Sequence, residues 1–275
     1  LHYAAERGHH AVVEKLLESS AVVNSSDRFG MTPLHYAASG GHIHVAQLLI
    51  DAKAPIDIRD SDFDDHQNRA PLHYAALQGH CEIMKVLLTA KANVDITDEF
   101  RQTPLHYAAT HGHVSALMML LDAKASVDQK DIDYSGKEKR TALHYAAEAG
   151  HCDAMLALID ANADLNARDY RHMTPLHLSA KQGHSKATQV LLDKNAQVDI
   201  RDAYYDGSDH LTPLHMAARD GKSAVIPVLL AAKASVDADD RCRQTPLHYA
   251  ASSGHVEAVQ ILIEANASLD AQDIQ

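Results

Sequence analysis

The stretch Thr103-Pro104-Leu105-His106-Tyr107-Ala108-Ala109 decides how the rest of the chain is read. It recurs eight times, intact or nearly so, with its leucine at Leu1, Leu34, Leu72, Leu105, Leu143, Leu176, Leu214 and Leu247. Each residue type has a physical reason. Thr103 carries a hydroxyl suited to an N-cap, and Pro104 fits the first helical position, where a missing N–H costs nothing. Leu105, Ala108 and Ala109 stand at i, i+3 and i+4, an apolar stripe whose small members let a neighbouring helix approach closely. A first helix ending at Gly112 and a second over about Val114–Ala123 follow. Neither is long enough to hold alone in water, so each buries its faces against the next repeat.

A period near 33 residues with a TPLHxA core resembles the ankyrin-repeat family. The resemblance covers essentially the whole chain and implies an all-α repeat solenoid of helix–turn–helix units joined by β-hairpin fingers. We expect one array over 1–275, in repeats of approximately 1–29, 30–67, 68–100, 101–138, 139–171, 172–209, 210–242 and 243–275. The chain opens in mid-motif at Leu1 and stops where a ninth finger would begin, and neither end carries a polar cap, so the array reads as an excerpt of a longer one. The leucines are spaced 33, 38, 33, 38, 33, 38 and 33 apart, a 71-residue pair that lengthens every second finger by five residues. The additions lie around Asp60–Gln67, Asp131–Glu138 and Asp202–Asp209.

Two departures from the family pattern concern backbone. The glycine expected after the second helix is replaced by Ser20, Lys53, Lys91, Lys124, Asn162, Asn195, Lys233 and Asn266. A left-handed conformation is expected there, which asparagine tolerates and lysine adopts at a cost on the order of 1 kcal/mol. The glycine before TPLH is mostly replaced by Asn68, Arg101, Lys139, His172, His210 and Arg243, read as tolerated turn residues in preference to basic contacts. Repeat seven deviates most. Lys222 replaces the turn histidine, and Pro227 falls within a second helix expected over Ser223–Ala232, which predicts a soft spot.

The formal charge of −12 argues against nucleic acid, whose phosphates need a concentrated basic surface. No apolar run approaches the roughly 20 residues of a membrane span. Cys81 and Cys152 stand two repeats apart, near 20 Å at a helix spacing of roughly 8–10 Å, too far for a disulfide, and Cys242 has no matching partner. A reducing, cytoplasmic setting fits. Of 21 histidines, eight occupy the TPLH position and seven follow the inter-helix glycine. The resemblance implies that these bond to backbone rather than to metal. No phosphate loop, nucleophile motif or metal-enzyme spacing occurs, so neither catalysis nor a cofactor is expected. The long fingers begin Asp60-x-Asp62-x-Asp64, Asp131-x-Asp133-x-Ser135 and Asp202-x-Tyr204-x-Asp206, the first two echoing a calcium loop. The twelfth position then fails, being Pro71, Ala142 or Pro213.

The resemblance implies a scaffold binding a protein or peptide partner through the concave side, lined by fingers and first-helix ends. Alternatives are a recruiting domain of a larger enzyme or channel, and cation binding by the acidic fingers. Of the variable helix ends, Leu77 and His111 are the favoured contacts. Six tyrosines fill the LHYAA position and are assigned to packing. The remaining aromatics all lie in fingers: Phe29, Phe63, Phe100, Tyr134, Tyr170, Tyr204 and Tyr205. Phe63, Tyr134 and Tyr205 align at 71-residue spacing, as do Phe29 and Phe100. Rings on loops of an otherwise aromatic-poor array point to a partner, the competing reading being rings that staple their own fingers.

Overall fold

The computed structural model describes residues 1–61, 67–132, 138–203 and 210–274. It divides into two compact units, Leu1–Gly136 and Lys137–Gln275. Unit 1 holds α1 His2–Glu6, α2 His10–Glu18, α3 Pro33–Gly40, α4 Ile43–Asp51, α5 Pro71–Gln78, α6 Cys81–Thr89, α7 Pro104–Thr110 and α8 Val114–Asp122. Unit 2 holds α9 Ala142–Ala149, α10 Cys152–Asp160, α11 Pro175–Gln182, α12 Ser185–Asp193, α13 Pro213–Arg219, α14 Ile226–Ala231, α15 Pro246–Ser252 and α16 Val256–Glu264. Each unit is an all-α repeat solenoid in which odd-numbered helices pack on odd and even on even. No strand forms among the described residues.

The stripe predicted from the motif is the core. Leu72, Ala75 and Ala76 of α5 are buried, as are Leu143, Ala146 and Ala147 of α9. Second helices add a matching seam, such as Ile83, Met84 and Leu87 of α6. Short helices with alanine at the contact stay close, and burial against a neighbour supplies what isolated helices lack. In α11 and α12 the seam turns polar. Ser179 and Thr188 are fully buried and bond hydroxyl to hydroxyl at 3.1 Å, which satisfies both.

The cap is shared between threonine and histidine: in α13 the Thr212 hydroxyl accepts His215 N–H at 3.4 Å, as the motif predicts, and the histidine adds a bond of its own. Thr103 stands at the N-cap with extended backbone, and its N–H donates to His106 Nδ1 at 3.0 Å, while its hydroxyl lies 2.9 Å from the same nitrogen. Where Ala70 replaces threonine, the amide still donates to His73 Nδ1 at 3.0 Å. The histidine therefore closes the cap, and the hydroxyl is dispensable. With Nδ1 accepting, the other nitrogen must carry the proton. His73 Nε2 donates to Gln102 O at 3.1 Å, His35 Nε2 to Arg69 O at 3.0 Å, and His177 Nε2 to Leu211 O at 3.1 Å. One imidazole thus ties a helix start to the following finger.

The turn histidines form a second ladder, as the family resemblance implied. His113 Nε2 donates to Leu77 O at 3.1 Å, His184 to Glu148 O at 2.9 Å and His255 to Arg219 O at 3.0 Å. The glycine at each turn leaves room for the next repeat's ring: a Cβ on Gly150 would sit 2.8 Å from His184 Cγ. All eight residues that replace the second-helix glycine have positive φ, from Lys91 at 74° to Asn266 at 62°. So do Asn68, Arg101, Lys139, His172, His210 and Arg243 before the motif, from 46° to 60°.

Repeat seven is altered more than its sequence suggested. The helix expected over Ser223–Ala232 is only Ile226–Ala231, with Pro227 in its first turn and exposed. Residues 222–225 form a turn instead, closed by Val225 N–H to Lys222 O at 2.9 Å. Proline placed there lacks only an N–H that has no helical partner. Lys222 packs its stem against Gly183 but has no ring to reach back with.

Three outcomes follow. Amides of residues 223–225 exchange faster than the corresponding first turns of α10, α12 and α16, and equal protection in native-state hydrogen exchange contradicts this. Lys222→His restores the missing bridge and stabilises by about 1 kcal/mol, raising the melting temperature by about 2–4 °C. Lys91→Gly or Lys124→Gly relieves a positive-φ lysine and stabilises by roughly 0.5–1 kcal/mol in denaturant titrations.

Candidate partner-binding surface

Each finger is organised by one aspartate. Asp98 Oδ1 accepts Gln102 N–H at 2.8 Å, and the backbone closes beside it, Asp98 N–H to Gln102 O at 3.0 Å. In the long fingers the same bonds span nine residues rather than four: Arg69 N–H to Asp60 Oδ1 at 2.9 Å, and Leu211 N–H to Asp202 Oδ1 at 2.6 Å. Successive fingers are also stitched together, Ser61 N–H to Phe29 O at 3.0 Å and Ala203 N–H to Arg171 O at 2.9 Å. Among the described residues these bonds shape turns and no strand is formed.

The motif tyrosines do more than pack. Their hydroxyls donate to the aspartate's second oxygen: Tyr36 to Asp27 at 2.6 Å, Tyr74 to Asp60 at 2.5 Å, Tyr107 to Asp98 at 2.7 Å and Tyr249 to Asp240 at 2.8 Å. Where Leu178 and Met216 replace tyrosine, an apolar cluster with Met173 and Leu211 takes its place, and Tyr249 packs against it. Asp60 and Asp202, the first ligands of the calcium-like pattern, therefore spend oxygens on hairpin geometry. Asp131 accepts from Gln102 Nε2 at 3.3 Å, and Asp62, Asp64, Asp133, Ser135, Tyr204 and Asp206 lie outside the described residues. Among the described residues no three metal-ligating side chains converge.

The aromatic positions are less open than their loop setting implied. Phe29 is half-buried; its N–H donates to Asp27 Oδ1 at 2.9 Å, and Arg28 stacks its guanidinium 4.3 Å from the ring centroid. With Tyr3, Glu6 and Tyr36 it lines a cleft of about 640 Å³ between a finger and first-helix faces. Phe100 and Tyr170 are also half-buried, their backbones stitched to Ile132 and Glu138 at 2.7 Å. Leu77 is half-buried at the end of α5. His111 is exposed, bonds Tyr107 O through Nδ1 at 3.0 Å, and stacks on His113 with centroids 6.0 Å apart. Phe63, Tyr134, Tyr204 and Tyr205 lie outside the described residues. In unit 2 a cleft of about 610 Å³ runs along the finger bases, lined by Arg168, His172, Arg201 and His210 among others.

Two arginines on this face were not singled out by sequence reasoning. Arg69 Nε donates to Tyr107 Oη at 2.8 Å. Arg140, 71 residues on, pairs with Glu138 and Glu148, each at 2.9 Å, with Asp169 at 3.7 Å. Burial pushes the carboxyls of Asp98 and Asp169 up to about 6, against the hydrogen bonds that favour their charged forms.

The buried imidazoles shift the other way. Burial drives His73 down to about 3 and His177 and His215 to about 4, and lowers His35. Unfolded, each ring protonates near pH 6.5. Their stabilisation is therefore complete above pH 6.5 and is lost as pH falls toward 4, because only the unfolded chain takes up those protons. Asp98 and Asp169 oppose this between about pH 6 and 4, since there the folded form holds the extra proton. Four groups outweigh two. The melting temperature is expected to drop by roughly 10 °C between pH 6.5 and 4.5. Asp98→Asn steepens the fall, and a flat profile by scanning calorimetry contradicts the assignment.

A family model for ankyrin repeats, three copies to a match, fits residues 1–98, 72–169, 130–202 and 201–273. No curated protein matches the chain. No helix among the described residues is long and apolar enough to cross a membrane.

Proposed function

The chain belongs to the ankyrin-repeat family, and from that premise we propose that it is a non-enzymatic scaffold binding a protein or peptide partner. Repeats of this family are protein–protein interaction modules, and the surface that would serve here is that of the fingers and first-helix ends. The observation that carries the reading is the cleft at Phe29. There an aromatic ring, two tyrosines and an arginine meet between a finger and the helices beside it. Half-buried rings held by finger backbone are pre-ordered, so a partner spends little entropy in fixing them. Finger aspartates occupied by amides and hydroxyls do not favour the cation reading. Three free thiols, Cys81, Cys152 and Cys242, fit a reducing compartment.

The finger aromatics are tested as two sets. Phe29→Ala, Phe100→Ala and Tyr170→Ala together are expected to weaken a selected peptide ligand at least tenfold while lowering the melting temperature by no more than a few degrees. Phe63→Ala, Tyr134→Ala and Tyr205→Ala together weaken it similarly. If either triple variant melts much lower and binds as before, its rings are loop staples and the surface lies elsewhere.

A further inference from the structure

Arg69 and Arg140 stand 71 residues apart at the same place in their repeats, and each guanidinium lies 5.8 Å from a tyrosine ring of the following helix, Tyr74 or Tyr145. Their surroundings then diverge. Arg140 is filled from within its own unit by the carboxylates of Glu138 and Glu148. The matching positions in unit 1 are Gln67 and Leu77, neither of them acidic. The nearby carboxylates of unit 1 are engaged elsewhere: Asp98 by Tyr107 and the Gln102 amide, Asp60 by Tyr74 and Arg69's own amide. Arg69 is meanwhile held at Nε by Tyr107 Oη, with that ring 4.8 Å from its guanidinium carbon. Among the described residues no carboxylate comes within ion-pair distance of it. The result is a half-buried guanidinium, held at Nε and flanked by two tyrosines, that has no carboxylate partner among the described residues, with a leucine at the position that Glu148 holds in unit 2.

We infer that Arg69 and Leu77 form the anchor for an acidic side chain of the partner flanked by an apolar residue. This deepens the partner-binding reading and rests on it. Unit 2 shows the occupied form of the same site, with Glu148 entering from the position that Leu77 holds in unit 1. A planar carboxylate matches the guanidinium fork in two parallel hydrogen bonds, and a fork already fixed by its neighbours loses little freedom on pairing. Leu77 in place of glutamate does two things. It leaves the charge to be met from outside, and it gives the incoming segment an apolar surface. A partner segment carrying Asp or Glu beside Leu, Ile or Phe fits both.

The test pans a random heptapeptide library, displayed on phage, against the whole chain, then titrates synthetic copies of enriched peptides by fluorescence anisotropy. Enriched peptides are expected to carry Asp or Glu next to a large apolar residue. Arg69→Gln should weaken them at least tenfold. Leu77→Glu should do the same by supplying the internal carboxylate of unit 2, and being half-buried it carries the test even if Arg69→Gln misfolds. Enriched peptides that lack an acid, or that bind Arg69→Gln and Leu77→Glu like the parent, overturn the anchor and leave the partner-binding reading standing. A selection that enriches nothing overturns both.

Discussion

The structure depends on a neutral imidazole. In each motif for which both bonds are described, one ring nitrogen accepts the amide that opens a helix and the other donates to a carbonyl of the next finger, as His73 does with Ala70 and Gln102. That single side chain satisfies an orphan helix donor and joins one repeat to the next. It does so only in one tautomer and one charge state. Burial supplies the charge state by making protonation expensive, and the fixed donor and acceptor supply the tautomer. Lysine could not accept the amide, and glutamine could not bridge the same span with a rigid plane. Fifteen of the twenty-one histidines stand at the two bridging positions, and those whose bonds are described serve connectivity between repeats.

Finger architecture follows from a second economy. Asp98 uses one oxygen to shape its turn and the other to receive Tyr107, so a loop is pinned to the helix that opens the following repeat. The same arrangement holds Asp60 to Tyr74 across nine finger residues instead of four. A buried carboxylate is costly, and here each oxygen has a donor. Unit 2 shows that the arrangement can be traded. Where leucine and methionine replace tyrosine, apolar contact with Met173 and Leu211 holds the finger base, while Arg140 approaches the Asp169 carboxylate.

Much of the fold was legible because it is written in short-range chemistry. Helices α7 and α8 fall where Pro104 and Gly112 placed them, and every residue standing in for the second-helix glycine took positive φ. The histidine's share of the cap was not legible. Thr103 and His106 stand three apart in either version, and only the position with Ala70 separates them. The lost turn of α14 was half-legible: Pro227 marked the place, but not that residues 223–225 would leave the helix. At the surface, aromatic residues in loops were visible, but their half-burial was not, since Phe29 is flanked by its own arginine and stitched to a finger some thirty residues on. Arg69 and Arg140 look alike in sequence. Their difference lies in residues two before and eight after, which become neighbours only in the folded repeat.

The missing ring at Lys222 also has a mechanical meaning. In a stacked array each repeat is joined chiefly to its neighbours, so tension along the stack passes through the junctions in series and the weakest one yields first. In unit 2 the junctions served by His184 and His255 carry an imidazole strut, and the one served by Lys222 does not. The same repeat has surrendered the opening turn of its outer helix. In a pull on this unit the junction of α11 and α12 with α13 and α14 would hold by its apolar contacts without that strut, giving unit 2 a built-in place to stretch.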